Sequence, residues 1–299
     1  MKKYLEHILK WSLAAVIIFF LVWYFLLHYN QIDWSSIVFN PVFLVISFVL
    51  LFLDYLMLAN VWRVILKKLK SPLPFYKANK VYFASILGRY VPGKVMLLVG
   101  RIYLGGKEGV DKKIIITSII LEVALLVVSG IILFIPAIFF FDNIPLWLII
   151  ISMSLIPVIL VLLIPSLFKR ILNFGLKLIK RKPIKLDLHY RDILEILVMH
   201  LGRWLIDAMA IYFLFRSITP LPYDIIYVLP GIVGISTVAG VLAIVAPGGV
   251  GVREGALVLL LSPFVGAPMA ILLSLVSRLW YVIAEVLFAG FFGIIHRND

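Results

Sequence analysis

Residues Val241–Leu261, VLAIVAPGGVGVREGALVLLL, decide how this chain folds. An apolar run is broken by Pro247, Gly248 and Gly249, and after Gly251 it carries two charges, Arg253 and Glu254. Proline ends a helix by removing a donor and clashing with the preceding turn, and glycine supplies the φ freedom that a reversal needs. Backbone groups freed in this way cannot face lipid, so such a break must lie within protein or line a wet cavity. The surroundings are those of a membrane. The chain has 299 residues, 64% of them hydrophobic and 14% charged, and its apolar blocks approach the ~20 residues that cross a bilayer. The fold class that follows is an all-α polytopic integral membrane protein, with residues 1–299 forming a single transmembrane domain.

The net charge of +13 would suit a nucleic-acid binder until the cations are placed along the chain. Twenty-two of the 28 Lys and Arg lie in five segments: the N-terminus, Arg63–Lys80, Arg101–Lys113, Lys169–Arg191 and Arg297. The loops 28–40, 142–145 and 216–224 carry only Arg216. The positive-inside rule makes the five segments cytoplasmic, both termini included, in a multi-pass protein of the plasma membrane. Basicity of this pattern orients the chain and attracts anionic lipid, and no nucleic-acid partner is expected. The first apolar run, from Trp11 to Leu27, reads as a retained anchor, because no small-residue cleavage site follows it.

Six full spans are predicted: 11–29, 41–62, 114–141, 145–167, 193–215 and 267–293. Two apolar stretches, 75–105 and 224–262, enter and leave on one face each, and are predicted as re-entrant helical hairpins of opposite orientation. They share a pattern. RYVPGKVMLLVGR (Arg89–Arg101) and AIVAPGGVGVREGA (Ala243–Ala256) both run from an apolar leg through Pro-Gly to a second apolar leg. Pseudo-repeats of about 41–141 and 193–293 related by inversion are the signature of transporters whose substrate sites lie near the midplane. A rival drawing makes 224–246 a full span and 250–262 a short one, whose 13 residues would reach only ~20 Å.

This drawing puts Asp54, Arg89, Lys94, Glu122, His200, Arg203, Asp207, Arg253, Glu254, Arg278 and Glu285 at membrane depth. An unpaired charge there costs ~2.5–3.5 kcal/mol on insertion scales, so these residues face inward, pair, and mark function. Arg203 and Asp207 stand four apart on one helix face, with His200 beside them, and Arg278 and Glu285 share a face two turns apart. Asp54 and Glu122 have no sequence-local partner and are expected to answer cations on other helices. At the hairpin tips (Pro92, Gly93, Pro247, Gly248, Gly249, Gly251), half-helix N-termini should converge with Arg89, Lys94 and Arg253 on an anion site. A lipid phosphate is its natural ligand in a bilayer, and arginine's planar fork suits it. Arg203 and Arg278 either join that site or hold the bundle through their pairs. Glu254 either pins Arg253 or releases it, and Glu122, Asp207, His200, Glu285 and Asp54 are the remaining coupling or charge partners.

No catalytic constellation is legible. There are no cysteines, and the five histidines lack ligand spacing, so no metal site and no cofactor are expected. GGKEG at Gly105–Gly109 lacks the spacing of a phosphate-binding loop.

The segment GRYVPGKVMLLVGRIYLGGKEG, followed by APGGVGVREGALVLLL, resembles the lysylphosphatidylglycerol synthase transmembrane, or flippase-like, family over nearly the whole chain. The resemblance implies lipid translocation, and it points to Pro92, Gly93 and Arg101 in the first motif and to Pro247, Gly248, Gly249, Gly251, Arg253 and Glu254 in the second. In multidomain relatives a separate cytoplasmic domain performs aminoacyl transfer, so synthase activity is not expected of this membrane unit. Lys94 departs from the small or acidic residues that often follow the first Pro-Gly. It would repel a cationic headgroup and favours an anionic one, on a phospholipid or a polyprenyl phosphate. The function expected is a flippase or scramblase for such lipids. The alternatives are a lipid-modifying membrane transferase, or a non-catalytic partner of a separate glycosyltransferase or synthase; a homo-oligomer is also left open.

Overall fold

Several of the helices start at residues whose side chains cap them. In the computed structural model, which describes residues 26, 37–86, 88, 95–142, 146, 150, 153–154, 157–159, 161, 163–178, 183, 188–243, 246 and 249–294, all regular structure is helical. Helix α1 runs over Pro41–Lys68; Asn40 caps it by accepting the Val42 and Phe43 amides, and Pro41 stands where no amide is needed. Two shorter helices follow, α2 (Phe75–Ile86) and α3 (Val95–Lys107). Helix α4 (Lys112–Ala137) is capped by Asp111 and tightens into a 3-10 turn, Ile138–Phe140, after Pro136. Helix α5 covers Pro165–Leu178. Helix α6 (Tyr190–Arg216) starts where Asp192 reaches back to the His189 amide at 2.9 Å. Then come α7 (Ile225–Leu242), α8 (Val252–Val265) and α9 (Ala267–Ile294), with Gly266 at φ 77° allowing the reversal between the last two.

Among the described residues, five helices are long and apolar enough to cross a membrane: Pro41–Lys68, Lys112–Phe140, Tyr190–Arg216, Ile225–Leu242 and Ala267–Phe292. Four of them fall on the predicted spans 41–62, 114–141, 193–215 and 267–293. The predicted span 11–29 lies almost wholly outside the described residues, and 145–167 is described only in scattered positions before Leu163. The fifth, Ile225–Leu242, is the arm expected as the first leg of a hairpin; its 18 residues give it ~27 Å, more than the interrupted sequence suggested. Pro230 lies inside this helix, which continues past it without an amide there to donate to the Ile226 carbonyl.

Side-chain contacts define two ends of the bundle. At one end Lys68, closing α1, bridges Asp192 and Glu195 of α6 at 2.7 Å each, and Lys77 of α2 meets Glu108 beyond α3 at 2.8 Å. Lys67, Lys68, Lys70, Lys77, Lys107, Lys112 and Lys113 all belong to this basic end. At the other end the Val38 and Asn40 amides donate to the Ile218 and Ser217 carbonyls. There Tyr227, early in α7, stacks on Phe140, and Phe264, late in α8, meets Phe141 edge-on at 5.3 Å. The α2–α3 pair therefore starts and finishes at the basic end, and the α7–α8 pair starts and finishes at the opposite end.

Small residues let α4 and α7 approach closely, as in membrane bundles generally. A Cβ on Gly231 would stand 2.5 Å from the Ala137 Cβ and 2.7 Å from the Leu133 carbonyl oxygen; one on Gly130 would stand 2.7 Å from Val238. Aromatic stacking joins α2 to α9: Phe83 lies 5.2 Å from Phe288 and 4.9 Å from Phe292.

Candidate functional site

Among the described residues, two clusters of buried charge occupy the bundle, and each draws on several helices. The first is built on Arg101, the last residue of the Pro-Gly motif in the first half. It is 2% exposed on α3, and its Nη1 donates to Glu122 Oε2 of α4 at 2.6 Å. Tyr82 of α2 donates to the other carboxylate oxygen at 2.7 Å, and the guanidinium lies 4.1 Å from the Tyr82 ring and 5.2 Å from that of Trp62. Trp62 in turn donates to Ser118. Glu122 thus answers a cation on another helix, and that cation is Arg101. The sequence reading placed Arg101 in a basic cytoplasmic segment. Facing α4 from the second leg of a packed helix pair, it is instead part of the interior.

The second cluster joins five helices. Arg203 of α6 lies between two carboxylates, Asp54 of α1 at 3.5 Å and Asp207, one turn on, at 3.8 Å; its guanidinium lies over the Trp204 ring at 3.9 Å. Tyr281 of α9 donates to Asp207 at 2.5 Å and presents its ring to Arg253 of α8, whose guanidinium carbon is 4.3 Å from the centroid. Arg253 also reaches Thr237 of α7 through Nε at 3.4 Å. Glu254 accepts from Arg278 of α9 at 3.4 Å and stands 3.9 Å from the Arg253 guanidinium. Asp54, Asp207 and Glu254 therefore stand against Arg203, Arg253 and Arg278, a balance that makes burial tolerable.

The turn into α8 explains why two charges follow the glycines. Gly249 and Gly251 hold φ of 70° and 84°. A Cβ on Gly249 would stand 2.6 Å from the Gly240 carbonyl oxygen, so the end of α7 and the start of α8 touch backbone to backbone. Glu254 bends back to accept the Gly251 amide at 2.6 Å, the carboxylate half of a capping box. One end of its carboxylate thereby satisfies the helix start and the other holds Arg278. The Gly251 amide, expected to help bind an anion, is already engaged.

Several expectations change with these contacts. Arg278 and Glu285 were expected to pair across two turns of one helix. Arg278 instead takes Glu254, and Glu285 accepts from Tyr55 of α1 at 2.8 Å, because each carboxylate meets a donor on a neighbouring helix at its own depth. His200 is fully buried, and neither ring nitrogen finds a hydrogen-bond partner among the described residues. Arg89, Pro92, Gly93, Lys94, Pro247 and Gly248 lie outside the described residues. Sequence reasoning missed Tyr82, Tyr281 and Thr237, which are ordinary in apolar helices. Only Tyr281, three residues from Arg278, carried a local cue.

The two arginines of the paired motifs are held differently. Arg101 is clamped by a carboxylate at hydrogen-bonding distance. Around Arg253, 8% exposed, the nearest carboxylate among the described residues is Glu254 at 3.9 Å; the Thr237 hydroxyl is its hydrogen-bond partner, and the Tyr281 ring lies beside its guanidinium. Arg253 can therefore exchange a contact for an anionic ligand at lower cost than Arg101.

No curated protein matches the chain closely enough to count as a relative. The profile of the lysylphosphatidylglycerol synthase TM region matches residues 8–289, which takes in both buried clusters and the helices that carry them, and the chain belongs to that family.

Proposed function

We propose that this chain moves a phosphate-bearing lipid between leaflets, as a flippase or scramblase, with Arg253 as the group that meets the phosphate. The observation that carries this reading is the way Arg253 is held. It sits where α7 and α8 meet, deep among other charges, hydrogen-bonded to a threonine hydroxyl and beside a tyrosine ring, with no carboxylate at hydrogen-bonding distance among the described residues. On this reading the basic end faces the cytoplasm of a plasma-membrane protein. The α2–α3 and α7–α8 pairs are then re-entrant hairpins dipping from opposite faces, which accords with each pair having both its ends at one end of the bundle. The acyl chains remain in lipid while the headgroup crosses beside the buried charges. The chain itself is a translocator and makes no covalent change to the lipid. Asp207, bonded to Tyr281, and Glu254, shared between Arg278 and the α8 cap, are the groups placed to re-pair as phosphate arrives.

The test is reconstitution in liposomes carrying tail-labelled fluorescent phosphatidylglycerol, with the outer leaflet bleached chemically. Wild-type protein should expose inner-leaflet label to bleaching. Arg253→Ala should slow exposure roughly 10- to 100-fold, the scale of one charge-assisted hydrogen bond, while eluting as a single folded species. A folded Arg253→Ala protein that moves the lipid at the wild-type rate would overturn the assignment.

A further inference from the structure

We infer that α5 is a membrane-surface helix that docks onto anionic lipid through a face combining Ile171 and Phe174 with Arg170 and Lys177. Three observations carry this. The helix is anchored on one side only. Phe168 is buried against the cluster containing Ile65, Leu188 and Ile193, which places α5 at the basic end of the bundle. On the other side Ile171 is 44% and Phe174 63% exposed, and Arg170 and Lys177 are exposed with them. Positions 170, 174 and 177 fall on one helix face, with 171 at its edge, so apolar side chains and cations line up along the same side. Finally, the charge is of one sign throughout. No Asp or Glu occurs between Asp142 and Asp187, while Lys169, Arg170, Lys177, Lys180, Arg181, Lys182 and Lys185 do.

Within Pro165–Leu178 the helix carries Lys169, Arg170 and Lys177, three cations that a helix crossing the ~30 Å hydrocarbon core would have to leave at membrane depth. An apolar strip bordered by cations matches the boundary between acyl chains and anionic headgroups. A water-exposed helix gains nothing from Ile171 and Phe174, and a protein partner would have to answer a run of cations with carboxylates. Docking α5 beside α1 and α6 would gather anionic lipid at the basic end. The inference stands independently of lipid translocation.

The cysteine-free sequence makes the test direct. Phe174→Cys carries an environment-sensitive bimane in proteoliposomes, quenched in turn by brominated phosphatidylglycerol, brominated phosphatidylcholine and aqueous iodide. Ile171→Cys is the second site should the first fail to fold, and Val198→Cys, at an exposed position within α6, is the lipid-facing control. The expected result is quenching by lipid over iodide, two- to five-fold stronger with the anionic lipid. That preference should collapse between about 20 mM and about 0.5 M salt, and in Lys169→Gln/Arg170→Gln/Lys177→Gln protein, while the Val198 label shows no preference. Three outcomes overturn the proposal: quenching by iodide alone, equal quenching by both lipids, or shielding from lipid and iodide alike, which would mean that protein covers the face.

Discussion

Arg101 and Arg253 end or follow paired Pro-Gly motifs, yet their surroundings assign them opposite physical roles. Arg101 donates at 2.6 Å to a carboxylate that Tyr82 also serves, so removing either partner strands a charge in the interior. Breaking a buried pair in this way costs about 3–5 kcal/mol, whereas replacing both members with apolar groups of similar volume is often near neutral. Arg101→Met should therefore lower the melting temperature in detergent sharply, and Arg101→Met/Glu122→Leu should recover most of the loss, as followed by thermal size-exclusion chromatography. Arg253→Ala should cost less than Arg101→Met, since Glu254 keeps both the Gly251 amide and Arg278 after the change. A double variant no more stable than Arg101→Met would show that the pair does more than balance charge. Sequence alone ranks these arginines the other way round. Its spacing puts Arg101 among surface cations, since nothing local reveals Glu122, 21 residues away on another helix.

Among the elements, the contact between α4 and α7 is the least forgiving. Gly130, Gly231 and Gly234 bring the two backbones together, and a side chain on Gly231 would run into the Leu133 carbonyl and Ala137 Cβ, neither of which can rotate away. Gly231→Val should separate the helices and cost about 1–3 kcal/mol. Gly255, whose Cβ direction is open and which lies inside α8, provides the control: Gly255→Ala should be neutral or add about 0.5–1 kcal/mol through helix propensity. A melting temperature unmoved by Gly231→Val would place the strain elsewhere. This contact explains what the sequence left unreadable in 224–262. Pro230, Gly231, Gly234 and Gly240 read as interruptions that leave the path of the first leg open, whereas the fold uses Gly231 and Gly234 as a packing surface and Gly240 to admit Gly249 and Arg253. The long apolar runs were legible because hydropathy is local. The ion pairs were not, because charge partners are set by which helices adjoin at equal depth.

Across the whole molecule, one geometric feature organises the rest: two helix pairs, each returning to the end from which it starts, at opposite ends. Lys77–Glu108 ties the first pair at the basic end, and the Phe140–Tyr227 and Phe141–Phe264 contacts tie the second at the other. If the bundle spans a membrane along α1, α4, α6 and α9, residues at the open ends of the two pairs must meet water on different sides. Lys107, exposed at the end of α3, and Ser262, near the end of α8, test this. Among the described residues the Ser262 hydroxyl bonds to the Val258 carbonyl of its own helix, so Ser262→Cys leaves the backbone ladder intact. In sealed right-side-out vesicles an impermeant maleimide should label Ser262→Cys at once, and Lys107→Cys only after the vesicles are opened. Labelling of both from one face would mean that one pair passes through the bilayer in place of returning. In that case Arg253 would lie in a continuous span and the buried charges would line a single helix bundle with no opposed hairpins at its centre.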